Sequence, residues 1–268
     1  MQRRPHSLQD MKRVDTPWTL SADDFDLATV ENLRRGHSVA VIIPAKNEAA
    51  TIGAVIDAVT HYEDFVDQLI VVNDHSSDDT HAVATHHGAR VVDLEGATGK
   101  GEALRAGLAL SQSELVVFLD ADVLNPGADY VARMIQPLLE RPEINLVKGF
   151  YERPLHQMPT GGGRVNELAA RPILSLLYPG LGEIRQPLAG ESAARRDTLA
   201  ALTLESAYGV EIAMLIDVAL KFGVASLAQV DLGVRRHRNR PLEELRPMAV
   251  EVLRAALGRF EVELPSGD

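Results

Sequence analysis

Short apolar runs separated by amphipathic stretches fill most of the chain. Val39, Ala40, Val41, Ile42 and Ile43 form the first run, too short for a typical helix and rich in β-branched residues, which predicts a buried strand. Comparable runs predict strands at 68–72, 89–92, 116–119, 145–151 and 226–234. Helical periodicity follows several of them, from Thr51, through 96–111, over 128–141 and over 208–222, and a last helix is predicted at 242–257. Strand and helix in alternation imply a mostly parallel sheet with right-handed crossovers and helices on its faces.

The ends of this pattern are less regular. Residues 1–20 read as a loose polar arm pinned by Trp18, and Ser21 with Asp24 spells a capping box for a short helix ending at Gly36. Ser76 with Asp79 reads as the cap of the helix after the second strand. Three parts result: an arm with a short helix at 1–36, a first α/β half at 37–150, and a second half with the terminal helix at 151–268.

Composition narrows the function. The chain has 268 residues, no cysteine and a net charge of −11. Disulfides, thiolate zinc sites and a cysteine nucleophile are excluded, and a reducing cytoplasm is the expected compartment. The acidic balance argues against a general nucleic-acid partner. No apolar run reaches bilayer-spanning length, and the basic start lacks the apolar core of a signal peptide, so no membrane association is expected.

Polar clusters sit where the strands end. Val116-Val117-Phe118-Leu119 stops abruptly at Asp120-Ala121-Asp122, in the usual ligand crevice of an open α/β sheet. Two hard oxygen donors there suit Mg²⁺ or Mn²⁺, and such an ion suits a diphosphate; a polar turn meets the same pattern. Pro44-Ala45-Lys46-Asn47-Glu48 follows the first strand, and Asp74 ends the second, free to accept from a base or ribose. Lys100 opens a helix after Gly99, a place that attracts phosphate. The triple glycine Gly161-Gly162-Gly163 before Arg164 lets a backbone approach an anion closely. Arg235-Arg236-His237-Arg238-Asn239-Arg240 is a dense local reversal of the overall charge, which suggests anion binding.

In this order the first-half motifs resemble the GT-A nucleotide-sugar glycosyltransferases. Gly161-Gly162-Gly163-Arg164-Val165, Gln186-Pro187-Leu188-Ala189-Gly190-Glu191, Tyr208-Gly209-Val210-Glu211-Ile212 and His237-Arg238-Asn239-Arg240-Pro241 narrow the resemblance to the glucosyl-3-phosphoglycerate synthase family. The resemblance implies a GT-A-type, Rossmann-like α/β fold with a mixed, mostly parallel sheet flanked by helices. It implies a retaining transfer of glucose from UDP- or GDP-glucose to the 2-hydroxyl of 3-phosphoglycerate. The product is a precursor of glucosylglycerate-type compatible solutes. A divalent cofactor, Mg²⁺ ahead of Mn²⁺, and a homodimer are implied as well. Neighbouring readings are a mannosyl-3-phosphoglycerate synthase, a polyprenyl-phosphate glycosyltransferase and a non-catalytic nucleotide-sugar-binding protein.

Residue by residue, the family's donor-binding positions fall on Pro44, Ala45, Lys46, Glu48, Asp74, Lys100, Asp120, Ala121, Tyr208, Glu211 and Arg240. Acceptor-binding positions fall on Gly162, Gly163, Arg164, Asn166 and Asn239, and the metal ligands on Asp122 and His237. Leu188 and Glu211 match catalytic positions beside the transferred sugar. The chain departs from the family at Ala121, where serine is common and the side chain is expected to point away from the metal. It departs again at Asn166, where threonine is common and acceptor geometry is at stake.

Overall fold

The computed structural model describes residues 16–155, 158–161, 163–236 and 242–260. Ten strands are described: β1 (Trp18–Leu20), β2 (Val39–Ala45), β3 (Gln68–Asn73), β4 (Arg90–Asp93), β5 (Leu115–Phe118), β6 (Leu146–Glu152), β7 (Pro154–Leu155), β8 (Met158–Gly161), β9 (Ser192–Arg195) and β10 (Leu227–Val234). Eight of them form one sheet in the order β1-β10-β6-β9-β5-β2-β3-β4, and β7 pairs only with β8. All pairings in the large sheet are parallel except those of β9, which runs antiparallel to both β5 and β6. β5 and β6 therefore point the same way, and β2, β3, β5, β6 and β10 all end at one edge.

The side-chain alternation of the strands divides the core into two layers. Val41, Ile43 and Val117 pack toward α1 (Leu27–Leu33), α2 (Ile52–Thr60), α3 (Thr80–His86) and α5 (Tyr130–Glu140). Ile42, Val116 and Phe118 face the opposite layer, made by α4 (Lys100–Leu110), α6 (Arg171–Leu177), α7 (Arg196–Ala200), α8 (Val210–Phe222) and α9 (Leu242–Leu257). These strand residues are at most 2% exposed. Each such aliphatic side chain contributes about 1.5–3 kcal/mol by leaving water. That burial on both faces is why these segments read as unbroken apolar runs.

Three local expectations change. The end of the polar arm is a strand: β1 pairs with β10, and the Arg141 guanidinium lies 4.5 Å from the centre of the Trp18 ring. Ser21 and Asp24 do form a capping box, but it closes a single 3-10 turn at Ala22–Asp24, and Asp26 caps α1 by accepting from the Ala28 amide at 3.1 Å. Ser76 and Asp79 do not form the expected cap. Asp78 accepts from the Thr80 amide, while Ser76 Oγ accepts from the Asn47 amide at 3.0 Å and so joins the loops after β2 and β3.

Candidate active site

A crevice of about 450 Å³ opens where the strands end. Pro44, Ala45, Lys46 and Glu48 line it after β2, Asp74 after β3, and Asp120, Ala121 and Asp122 after β5. Lys100 enters from the start of α4, and Tyr208 and Glu211 from the start of α8. The same crevice is lined by Tyr151 and Arg153 at the end of β6, then by Gly163, Arg164, Asn166 and Leu188. Leu245, Met248 and Val252 on α9 also line it. Every sequence-predicted site residue within the described residues is thus on a single cavity. Gly162, His237, Asn239 and Arg240 lie outside the described residues.

Ion pairs organise the crevice floor. Lys100 Nζ lies 2.7 Å from Asp120 Oδ1 and 2.5 Å from Glu211 Oε1. Burial opposes the ammonium charge, but these two carboxylates outweigh it and hold the group well above the usual lysine value. Asp120 Oδ2 receives Arg235 at 3.1 Å, so both its oxygens are engaged. Burial would raise the Asp120 carboxyl, yet Lys100 and Arg235 prevail and keep it below the ordinary range. Arg235 is 2% exposed and also meets Asp122 Oδ1 at 3.3 Å, Tyr151 Oη at 3.0 Å and the buried Glu191 carboxylate. Burial pushes Glu191 upward against the pull of Arg235. One arginine therefore joins the start of β9, the end of β10 and the Asp-x-Asp turn.

Close backbone approach permits this turn. A methyl group on Gly190 would lie 1.9 Å from Asp120 Oδ1, so only glycine fits there. Ala121 is 3% exposed and belongs to the core while also lining the crevice.

Asp74 differs from expectation. It is 6% exposed; its Oδ1 accepts from Thr98 Oγ1 at 2.6 Å and its Oδ2 from the Gly99 amide at 3.1 Å. His75 Nδ1 stands 3.0 Å from Oδ1. Burial raises the Asp74 carboxyl, but these hydrogen bonds and nearby Lys46 lower it overall. Asp74 thus anchors the loop that leads into Lys100, where it had been expected to offer free acceptors. Asn166 is similarly engaged. It is 3% exposed, its Nδ2 donates to the Arg185 carbonyl at 3.2 Å and to Glu167 Oε1 at 3.0 Å, and its Oδ1 accepts from the Leu188 amide at 3.4 Å.

Several functional candidates had no signal strong enough to stand out in the sequence. Lys148 lies inside β6, is 1% exposed, and donates from Nζ to the Ala189 carbonyl at 2.5 Å. Burial pulls its amine down to about 8, and the surrounding Glu211, Glu191 and Asp120 only partly resist. A lone lysine within Leu146-Val147-Lys148-Gly149-Phe150 was its only sequence trace. Arg235 was hidden among neighbouring arginines, and Arg153 followed a strand with no motif around it.

An α/β crevice of this kind, acidic at the strand ends and reached by the starts of α4 and α8, fits a nucleotide-sugar enzyme. The family description "Glycosyl transferase family 2" matches residues 40–159. The chain is a glycosyltransferase of the GT-A fold class. A glucosyl-3-phosphoglycerate synthase of Mycobacterium tuberculosis is 44% identical over 261 residues, covering 92% of this chain and 80% of the relative. The chain belongs to the glucosyl-3-phosphoglycerate synthase family. A crystal structure of the M. tuberculosis enzyme in complex with Mn²⁺, uridine-diphosphate-glucose and phosphoglyceric acid superposes with a TM-score of 0.85 at 43% identity, covering 94% of this chain and 89% of that one. Another, with Mn²⁺, uridine-diphosphate and glucosyl-3-phosphoglycerate, gives 0.84 at 42% identity, with 94% and 90% covered.

Proposed function

We propose that this enzyme transfers glucose from UDP-glucose to the 2-hydroxyl of 3-phosphoglycerate, with retention, to give glucosyl-3-phosphoglycerate. The observation that carries the reading is the joining, in one crevice, of the Asp120–Asp122 turn with an arginine-bearing stretch at Arg153 and Arg164. Relatives crystallised with the donor, the acceptor and the product support it.

A divalent ion fits the residues present. Asp122 is partly exposed to the crevice, and among the described residues hydrogen bonds reach it only at Oδ1. Its hard carboxylate oxygens are donors of the type that Mg²⁺ and Mn²⁺ prefer. We assign Asp122 as a ligand, with His237 as the second. When bound, the ion neutralises charge on the diphosphate leaving group.

The chain's own residues do the rest. Pro44, Ala45, Lys46 and Glu48 border the nucleoside; Asp74 fixes the Thr98–Gly99 loop beside it. Lys100 adds positive charge near the diphosphate, and Arg164 holds the acceptor phosphate. The acceptor oxygen then forms its bond to the anomeric carbon on the face that the diphosphate leaves, and its proton passes to the departing phosphate oxygen. Support for this same-face course is the state of Glu211, which is 5% exposed and locked to Lys100. A carboxylate so paired is a poor nucleophile and a good sugar-positioning group.

The reaction is assigned to the cytoplasm on the cysteine-free composition. We also assign a homodimer, for which exposed Leu168 and Leu176 offer apolar surface, and light scattering reads the mass directly.

The deciding experiment offers UDP-, GDP- and ADP-glucose and GDP-mannose with 3-phosphoglycerate and either Mg²⁺ or Mn²⁺. NMR of the product should show an α-glucosidic bond to the glycerate 2-oxygen, formed fastest from UDP-glucose. Failure with every glucose donor, or a β-linked product, rejects the reading.

A further inference from the structure

The proposed acceptor carries an anion at each end, a carboxylate beside the reacting hydroxyl and a phosphate on the far carbon. One cation, Arg164, has been assigned to the phosphate. A second cation stands on the same wall. Arg153 leaves the end of β6 and lines the crevice together with Gly163 and Arg164. Its Nη1 would lie 3.4 Å from a methyl group built on Gly163, which places the guanidinium directly beside that glycine. Its guanidinium carbon lies 5.6 Å from the centre of the Tyr151 ring, a contact that helps fix its direction.

Arg153 is not consumed by the protein in the way Arg235 is. Arg235 answers Glu191, Asp120 and Asp122. The ion pairs among the described residues include none to Arg153, and its Nε is buried without a hydrogen-bond acceptor. The planar guanidinium fork matches the geometry of a carboxylate.

We propose that Arg153 binds the carboxylate of the acceptor while Arg164 binds its phosphate, so that the enzyme selects acceptors with an anion on both sides of the reacting hydroxyl. The inference rests on the function proposed above. Gripping both ends fixes the hydroxyl between them relative to the anomeric carbon, which a single phosphate contact, free to swivel, does not do.

Three ligands separate the two ends: 3-phosphoglycerate, glycerol 3-phosphate, which lacks the carboxylate, and glycerate, which lacks the phosphate. Binding of each to the full chain with UDP and Mn²⁺ is measured by calorimetry, with weak ligands read by competition, and turnover is measured with UDP-glucose. Arg153→Met keeps the apolar stem and removes the charge. It should weaken 3-phosphoglycerate and glycerate about 30- to 100-fold. It should leave glycerol 3-phosphate and UDP-glucose affinity unchanged. Arg153→Lys, which keeps charge without the fork, should fall between, and guards against a folding defect in the first variant.

Equal losses for 3-phosphoglycerate and glycerol 3-phosphate would overturn the carboxylate assignment. Retained glycerate binding with weakened glycerol 3-phosphate would overturn it too, by moving Arg153 to the phosphate. A wild-type enzyme that neither binds nor uses 3-phosphoglycerate rejects the proposed function itself, which is a different result from either.

Discussion

Along the wall built from the ends of β2, β3 and β5, the carboxylates of Glu48, Asp74, Asp120 and Asp122 outnumber the lysines Lys46 and Lys100. A second stretch of the lining, from the end of β6 through Gly163, Arg164 and Asn166 to Leu188, presents Arg153 and Arg164 and, among its described lining residues, no acid. Both substrates in the proposed reaction are anions, yet the walls differ in sign. The acidic wall suits an anionic donor only when a divalent cation intervenes, whereas the basic wall meets its anion directly. The supports differ as well. Ion pairs to Lys100 and Arg235 hold Asp120 in place, while the Arg185 carbonyl, the Leu188 amide and the Glu167 side chain hold Asn166.

Removing the acid nearest the proposed metal is the strongest way to test that division. Asp122→Ala should lower kcat by about 10³-fold by removing charge stabilisation at the leaving group. Mn²⁺ titration followed by EPR should show weakened metal binding, and 3-phosphoglycerate affinity measured without metal should hold. Unchanged Mn²⁺ affinity would mean that the acidic wall does not hold the ion. Next in size is Arg164→Ala on the basic wall. It should weaken 3-phosphoglycerate by about 30- to 100-fold through loss of a charged hydrogen bond, with UDP-glucose affinity intact. Comparable losses for both substrates would erase the distinction between the walls.

Lys148, buried inside β6 and within reach of the charges of Glu211, Lys100, Glu191 and Asp120, tests whether the buried charges are electrostatically strained. Its amine titrates near 8 in the folded protein, against about 10.4 in an unfolded chain. Between those values the unfolded state binds more protons, so this residue makes stability rise with pH through that window and costs stability below it. The stability difference between wild type and Lys148→Met, measured by denaturant unfolding at several pH values, should therefore move in favour of wild type from pH 8 to 10. Its span should be on the order of a few kcal/mol. A flat difference would show that burial does not penalise the charged amine.

The acidic wall was the more legible in the sequence, for a physical reason. β2, β3 and β5 are buried on both faces, so each is an apolar run, and its end is marked by the first polar residue. Asp74, Lys100, Asp120 and Asp122 stand at or near such boundaries. β9 escaped notice because Ser192, Ala193 and Ala194 are small and lack strand propensity; pairing with β5 and β6 on either side makes them a strand. β1 was missed similarly, since its pairing with β10 joins distant parts of the chain. The fully buried charges were hardest to see. Lys148 and Arg235 have roles set by long-range partners, Ala189 in one case and Glu191 and Asp120 in the other, and no local pattern announces these.

The smallest predicted effect concerns Asn166 on the basic wall. Asn166 lines the crevice, but its amide is engaged with the Arg185 carbonyl, Glu167 and the Leu188 amide. Its main work is therefore to hold the loop carrying Leu188 against the segment carrying Arg164. Asn166→Thr shortens the side chain, so one hydroxyl must replace contacts that two amide ends made on opposite sides. The loss should be about 1 kcal/mol. For a domain of this size that lowers Tm by about 2–4 °C. The KM for 3-phosphoglycerate should change less than about 3-fold, as expected when no charged contact to the substrate is removed. A ten-fold rise in KM at unchanged Tm would reverse the assignment: Asn166 would then touch the acceptor, and the basic wall would recognise it by amide geometry as well as by charge.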